Sequence, residues 1–474
     1  MPDNINIPPF AANSCPALVV AAPSSGSGKT TVVAALARYF RNQGKKVRVF
    51  KTGPDFIDPC FLEFASGAPV YQLDLWMAGD QSEIALAHCR QLLAQAAVES
   101  DLILIEGVMG MFDGPCSSAD IAAIFNIPVL AVIDAKAMAQ TFGAIAHGLA
   151  SYRDDIKMFG VVANRVGSAN HAQMLEEALP KHLAFCGWLA KDQKIELPER
   201  HLGLVQAQEL TDLNDRLNHA AELISQSFTE QGQQIPLPAA VDFTFPQALP
   251  APELVTNVQS TPALTGKVIA IARDKSFSFI YQANLDFLRQ QGAELVFFAP
   301  IDGDALPECN ALYLPGGYPE LNIEPLAANQ ALIQQIKQHI DAEKPALAEC
   351  GGMIYLMQSL TTLATDNIAA RTENLCGILD GKVAMQPKLA ALGMVSLPAL
   401  MSDDGQIPRG HTFHYSKTET DLPVWQQPVS LRGRKTDPVW KQKKLVASYV
   451  HWYFPSCPEF FVGLFGGMLV ADSE

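Results

Sequence analysis

The chain has 474 residues, of which 49% are hydrophobic and 18% charged, and it carries a formal net charge of −15. That length exceeds one ordinary core and implies two or three domains. The acidic balance argues against nucleic acid or an anionic membrane surface as partner, although a few local cations could still hold an anionic small molecule in one cleft.

The start, MPDNINIPPFAANSCPALVVAA, has no basic n-region, and its apolar run is only a strand long. It therefore reads as neither a secretory signal nor a membrane anchor. Nine scattered cysteines without a C-x-x-C pair predict reduced thiols in the cytoplasm.

In chain order, ALVVAA (17–22), VRVFKT (47–52), LILIEG (102–107), VLAVIDA (129–135) and FGVVANRV (159–166) predict buried parallel strands separated by helical patterns. Such alternation implies βαβ units and an open α/β sheet. Directly after the first strand comes SSGSGKTT. Gly26 and Gly28 let the backbone curl its N–H groups around phosphate oxygens, Ser27 and Thr31 complete the loop, Lys29 reaches the outer phosphates, and the Thr30 hydroxyl ligates Mg²⁺. Pro23 stands where the full P-loop pattern has its first glycine. Val33, Leu36, Ala37 and Phe40 form the buried face of the following helix, whose positive end points at the nucleotide.

Carboxylates gather at the same edge of the expected sheet. Glu106 ends a buried strand and suits a metal-bound nucleotide, while Asp55 and Asp58 lie in the loop KTGPDFIDP just past another strand. Asp113 falls in the glycine-flanked loop GVMGMFDG, aimed at the same place. Asn164, at the end of VVANRV, is a candidate reader of the adenine edge.

Residues 229–265, rich in Pro, Gln and Ala, have no clear period and read as a linker between an ATP-binding domain at 15–228 and a second domain at 266–474. A new alternating series follows: KVIAIARD (267–274), AELVFFAP (293–300), NALYLPGG (310–317), PALAEC (345–350) and LVASYVHWYF (445–454). In ALAECGGMIYL a buried strand turns into a helical pattern marked by Met353, Leu356, Met357 and Leu360. This places Cys350 on a tight bend flanked by small residues, in the manner of a nucleophile elbow, with the helix N-terminus favouring thiolate.

The order strand–PGG, strand–elbow Cys, strand–His resembles a class I glutamine amidotransferase domain. That resemblance implies that Cys350 attacks the glutamine side-chain amide, that His451 is its base, and that the N–H groups of Gly317 and Gly351 hold the oxyanion. Most such domains carry a glutamate two residues after the histidine, where this chain has Tyr453. A dyad or an outside third group is expected, with weak stand-alone glutaminase activity.

Taken together, SSGSGKTT, KTGPDFIDP, EGVMGMFDG, ARDKSFSFIYQANLDFL, LPGGYPEL, AECGGMIYL, GHTFHYS and SYVHWYF resemble the cobyrinic acid a,c-diamide synthase family over residues 17–470. The likeness implies an N-terminal P-loop, dethiobiotin synthetase-like parallel sheet and a C-terminal class I amidotransferase-like α/β domain. It also implies ATP- and glutamine-dependent amidation of a corrin ring in cobalamin synthesis. Asp55 and Glu106 are carried over as metal-site carboxylates, Asp58 as a substrate-site group and Asp113 as catalytic; Phe56 replaces a tyrosine. RGHTFHYS (409–416) and SFIYQANL (278–285) supply groups for ring carboxylates or domain docking, or else form plain amphipathic elements. The expected partners are ATP with Mg²⁺, L-glutamine and a corrinoid carboxylate; a homodimer is compatible with this. Nickel-sirohydrochlorin diamide synthase and cobyric acid synthase share the build, and a P-loop switch ATPase is the rival of another class.

Overall fold

The computed structural model describes residues 13–196, 199–200, 203–204, 207–229, 235–244, 262–364 and 369–468. The chain folds as two compact units, 1–76 with 81–254, and 77–80 with 255–474.

The first unit is built on seven parallel strands: β1 (Ser14–Ala21), β2 (Val47–Lys51), β3 (Tyr71–Gln72), β4 (Leu102–Glu106), β5 (Val129–Asp134), β6 (Met158–Val166) and β7 (Phe185–Ala190). Their order in the sheet is β3-β2-β4-β1-β5-β6-β7. The five expected strands are all present; the short β3 and the interrupted β7 carry too little periodic signal to be read from sequence. Helix α1 (Lys29–Asn42) buries Val32, Val33, Leu36, Ala37 and Phe40 against Leu18, Val20, Leu104 and Leu130. Each large apolar side chain so buried stabilises the unit by about 1.5–3 kcal/mol. Because the strands are parallel, the loops after β1, β2, β4 and β6 all emerge at one edge.

Part of the segment read as a linker is structured. Ala240–Asp242 pairs antiparallel with the start of β1, Ser14 facing Asp242 and Pro16 facing Ala240. Three residues alternating exposed, buried, exposed are too few to show a period within a Pro-rich run. Residues 230–234 and 245–261 lie outside the described set.

In the second unit a seven-stranded sheet has five parallel strands in the order Glu294–Phe298, Val268–Ala272, Ala311–Leu314, Ala346–Glu349, Leu445–Ser448, then antiparallel Val439–Gln442 and Val424–Gln426. The stretch LVASYVHWYF, expected as one strand, is two. Leu445–Ser448 pairs with Ala346–Glu349, whereas His451–Tyr453 crosses into a separate sheet and pairs with Arg409–His414. The helix behind Cys350 is also shorter than its pattern suggested, since Gly351–Leu356 is helical and Met357–Thr361 is a strand against Leu379–Met385. Both misreadings have one cause: an apolar run buried on all sides shows no period by which to place a break.

Candidate active sites

In the first unit the P-loop curls between β1 and α1. Gly28 sits at φ 92, a left-handed conformation open to glycine, and any side chain there would collide with Asn164. The Asn164 amide donates to the Ser27 carbonyl at 3.0 Å, so Asn164 braces the loop from below. Arg165, which sequence reasoning passed over, links the Gly26 carbonyl at 3.0 Å to Asp134 at 2.6 Å. Lys29 Nζ donates to the carbonyls of Ser24 (3.2 Å) and Met109 (2.7 Å), and burial draws its pKa down. The loop borders a cleft of about 870 Å³ that also receives Thr31, Asp55, Asp58 and Glu106.

The expected carboxylates do converge, around a residue the sequence reading missed. Lys51, the last residue of β2, is 3% exposed; its Nζ lies 2.6 Å from Asp58, 3.1 Å from Glu106 and 3.5 Å from Asp55. Burial alone would push the Lys51 ammonium towards neutrality, but Glu106, Asp58 and Asp55 outweigh it and hold the charge. Burial pushes Glu106 up and, with Asp58 beside it, lifts Asp55 to about 7. The signal for Lys51 was present: a lysine ending the buried strand VRVFK is almost never fully buried without partners.

The group suits a nucleotide-bound Mg²⁺. Thr30 Oγ1 donates to Glu106 Oε1 at 2.6 Å, and Glu106 Oε2 is buried with no hydrogen-bond partner among the described residues. Mg²⁺ keeps waters and phosphate oxygens and needs only one or two protein carboxylates. Asp113 is exposed; its Oδ2 accepts from the Gly110 N–H at 3.1 Å, and its charge reaches Lys29.

In the second unit Cys350 follows the strand Ala346–Glu349 with φ 43 and ψ −105, the strained pose expected of an elbow. Its N–H donates to the Ser448 carbonyl at 2.7 Å. The two proposed oxyanion residues are neighbours: a Cβ on Gly351 would lie 2.9 Å from the Gly317 nitrogen. Gly316 packs against the His451 ring, where any side chain would clash with the imidazole.

The expected thiolate is not favoured here. Burial, reinforced by Glu320, pushes the Cys350 thiol well up; burial, then His411 and His414, pushes His451 well below 6.5. Burial opposes both charges, and a six-residue helix supplies too little compensation. Both groups are thus pushed towards their uncharged forms, thiol and neutral imidazole.

RGHTFHYS and SFIYQANL turn inward, within their own unit. His411 stacks on His451 at 5.0 Å between ring centres, and its Nδ1 is 2.8 Å from the Tyr281 hydroxyl. His414 stacks on Tyr449 at 3.7 Å and lies 3.0 Å from Asp437. Those three residues with Ser416 and Thr418 line a cleft of about 670 Å³. Asn284, expected as a docking or ring-binding group, is fully buried and holds backbone instead.

A phosphate loop facing a charge-compensated acid cluster, together with an elbow cysteine and histidine, defines a nucleotide-binding ligase supplied by its own glutamine amidotransferase domain. Residues 18–205 match the CobQ/CobB/MinD/ParA nucleotide binding domain family, and residues 268–458 match the CobB/CobQ-like glutamine amidotransferase domain. The chain is 50% identical to the hydrogenobyrinate a,c-diamide synthase of Stutzerimonas stutzeri over 94% of this chain and 97% of that one. It is 48% identical to the enzyme of the same name from Pseudomonas aeruginosa, covering 97% and 99%. Identity to the cobyrinate a,c-diamide synthase of Herminiimonas arsenicoxydans is 44%, covering 94% and 95%. The chain belongs to this a,c-diamide synthase family and is a glutamine-dependent, amide-forming ligase. Among the described residues no helix is long and apolar enough to cross a membrane.

Proposed function

We propose that this enzyme, acting in the cytoplasm, uses ATP, Mg²⁺ and glutamine to amidate the a and c acetate carboxylates of hydrogenobyrinic acid, with cobyrinic acid as the alternative ring. The near full-length likeness to two hydrogenobyrinate synthases supports the choice of ring.

A carboxylate does not accept ammonia directly, because oxide is a poor leaving group. Its attack on the γ-phosphorus releases ADP and gives an acyl phosphate, which ammonia then displaces as amide and phosphate. The observation that carries this reading is Lys51 amid Asp55, Asp58 and Glu106 beside the P-loop. Three bare carboxylates would repel both ATP and an acidic substrate; the buried ammonium offsets them at the place where phosphoryl transfer must occur. Lys29 holds the phosphate oxygens and Asp58 faces the substrate; Thr30, Asp55 and Glu106 would hold Mg²⁺, which when bound would supply positive charge for the transferring group. Asn164 fixes the loop and contacts adenine through its remaining oxygen.

In the second unit His451 removes the Cys350 proton as sulfur attacks the amide carbon, and the oxyanion lies on the Gly317 and Gly351 N–H groups. The proton passes to the departing nitrogen, ammonia leaves, and water hydrolyses the thioester to glutamate.

The test is product mass after incubation with each ring, ATP and glutamine. Conversion of the cobalt-free ring to its diamide is expected; conversion of neither corrin, with amidation of nickel-sirohydrochlorin instead, overturns the choice of substrate. In the same assay Asp113→Asn slows diamide formation from ammonia by about 10²-fold with ATP affinity unchanged, the loss expected for one group acting on the transition state. Unchanged turnover would leave Asp113 as the turn residue that its bond to Gly110 makes it.

A further inference from the structure

Glu349, beside the nucleophile, has no part in the chemistry above, yet it is 1% exposed and doubly engaged. Its Oε2 accepts from the Tyr313 hydroxyl at 2.8 Å and its Oε1 from the Trp452 N–H at 3.1 Å. Trp452 directly follows His451. Asn284 grips the same backbone: its Nδ2 donates to the Trp452 carbonyl at 2.7 Å, and its Oδ1 accepts from the Phe454 N–H at 2.8 Å. The strand His451–Tyr453 has only three residues and leaves the sheet that bears Cys350, so sheet pairing between neighbours does not set the distance from sulfur to imidazole.

We infer that Glu349 is a positioning residue for the glutaminase reaction, fixing His451 against Cys350 through the Trp452 backbone and so replacing the orienting function of the glutamate that Tyr453 displaces. The path from nucleophile to base is then one residue, one hydrogen bond and one residue. The Tyr453 ring packs edge-on to Tyr281 at 5.6 Å between ring centres. The function is geometric and needs no charge, which agrees with burial lifting the Glu349 carboxyl to about 8.

This inference rests on Cys350 and His451 being the amidotransferase pair, and the test separates the two. Glutamine hydrolysis and ammonia-dependent synthesis are measured for Glu349→Gln, Glu349→Asp and Cys350→Ala. Glutamine in place of Glu349 keeps an acceptor for the Trp452 N–H and offers its NH₂ to the Tyr313 oxygen; aspartate keeps the carboxyl group but falls short of Trp452. Glu349→Gln should retain most of the glutaminase kcat. Glu349→Asp should lose on the order of 10²-fold in kcat with the glutamine KM little changed, the effect of a base displaced by about 1 Å. Ammonia-dependent synthesis should persist in both.

Wild-type kcat in Glu349→Asp overturns the inference. So does an equal loss in Glu349→Gln, which would make the charge the active feature, or a rise in KM alone. Should Glu349→Asp fail to fold, Tyr313→Phe frees one carboxylate oxygen and must lower kcat; unchanged kcat overturns the inference as well. Glutaminase persisting in Cys350→Ala would instead remove the underlying assignment.

Discussion

Cys350→Ala should abolish glutamine-dependent synthesis and leave synthesis from added ammonia largely intact. The thiol sits on an elbow in the second unit; the next residue, Gly351, lies against Gly317, and the neighbouring Gly316 packs on His451. The phosphate loop and the Lys51 cluster belong to the first unit. Removing the sulfur deletes the covalent intermediate, and losing a nucleophile lowers turnover by on the order of 10³-fold or more. Phosphoryl transfer needs nothing from that sulfur. Parallel rates with glutamine and with ammonium chloride decide the matter: an equal fall with both donors would contradict a function confined to ammonia release.

Lys29→Ala should remove activity with either donor. Lys29 is 7% exposed, and the carbonyls of Ser24 and Met109 hold its ammonium beside the P-loop, where phosphoryl oxygens gain charge as the γ-phosphoryl group moves. Loss of one such donor raises the barrier by about 3–4 kcal/mol, a 10²–10³-fold fall. Glutamine hydrolysis measured without ring substrate should be nearly unchanged. Near-normal synthesis from ammonia in this variant would be incompatible with the assigned phosphate site.

These two sites were the most legible parts of the sequence because each depends on local geometry. Glycines between an apolar strand and an amphipathic helix specify a phosphate loop, and a cysteine between a strand and two glycines specifies an elbow, without reference to the rest of the chain. What stayed hidden depends on partners far apart in sequence. Lys51 is meaningful only once β2 lies beside β4 and pairs it with Glu106. Glu349 is meaningful only once His451–Tyr453 has left the strand it seemed to continue. The upward push on the Cys350 thiol and the downward push on His451 likewise come chiefly from burial, which the elbow motif does not contain.

In the proposed reaction a ring carboxylate is activated by phosphoryl transfer and then takes ammonia. Hydrogenobyrinic acid labelled with ¹⁸O in its carboxylates, incubated with ATP, Mg²⁺ and glutamine, tests it most directly. Formation of the a,c-diamide should place one ¹⁸O atom in inorganic phosphate for each amide formed. Diamide formed with unlabelled phosphate would contradict it.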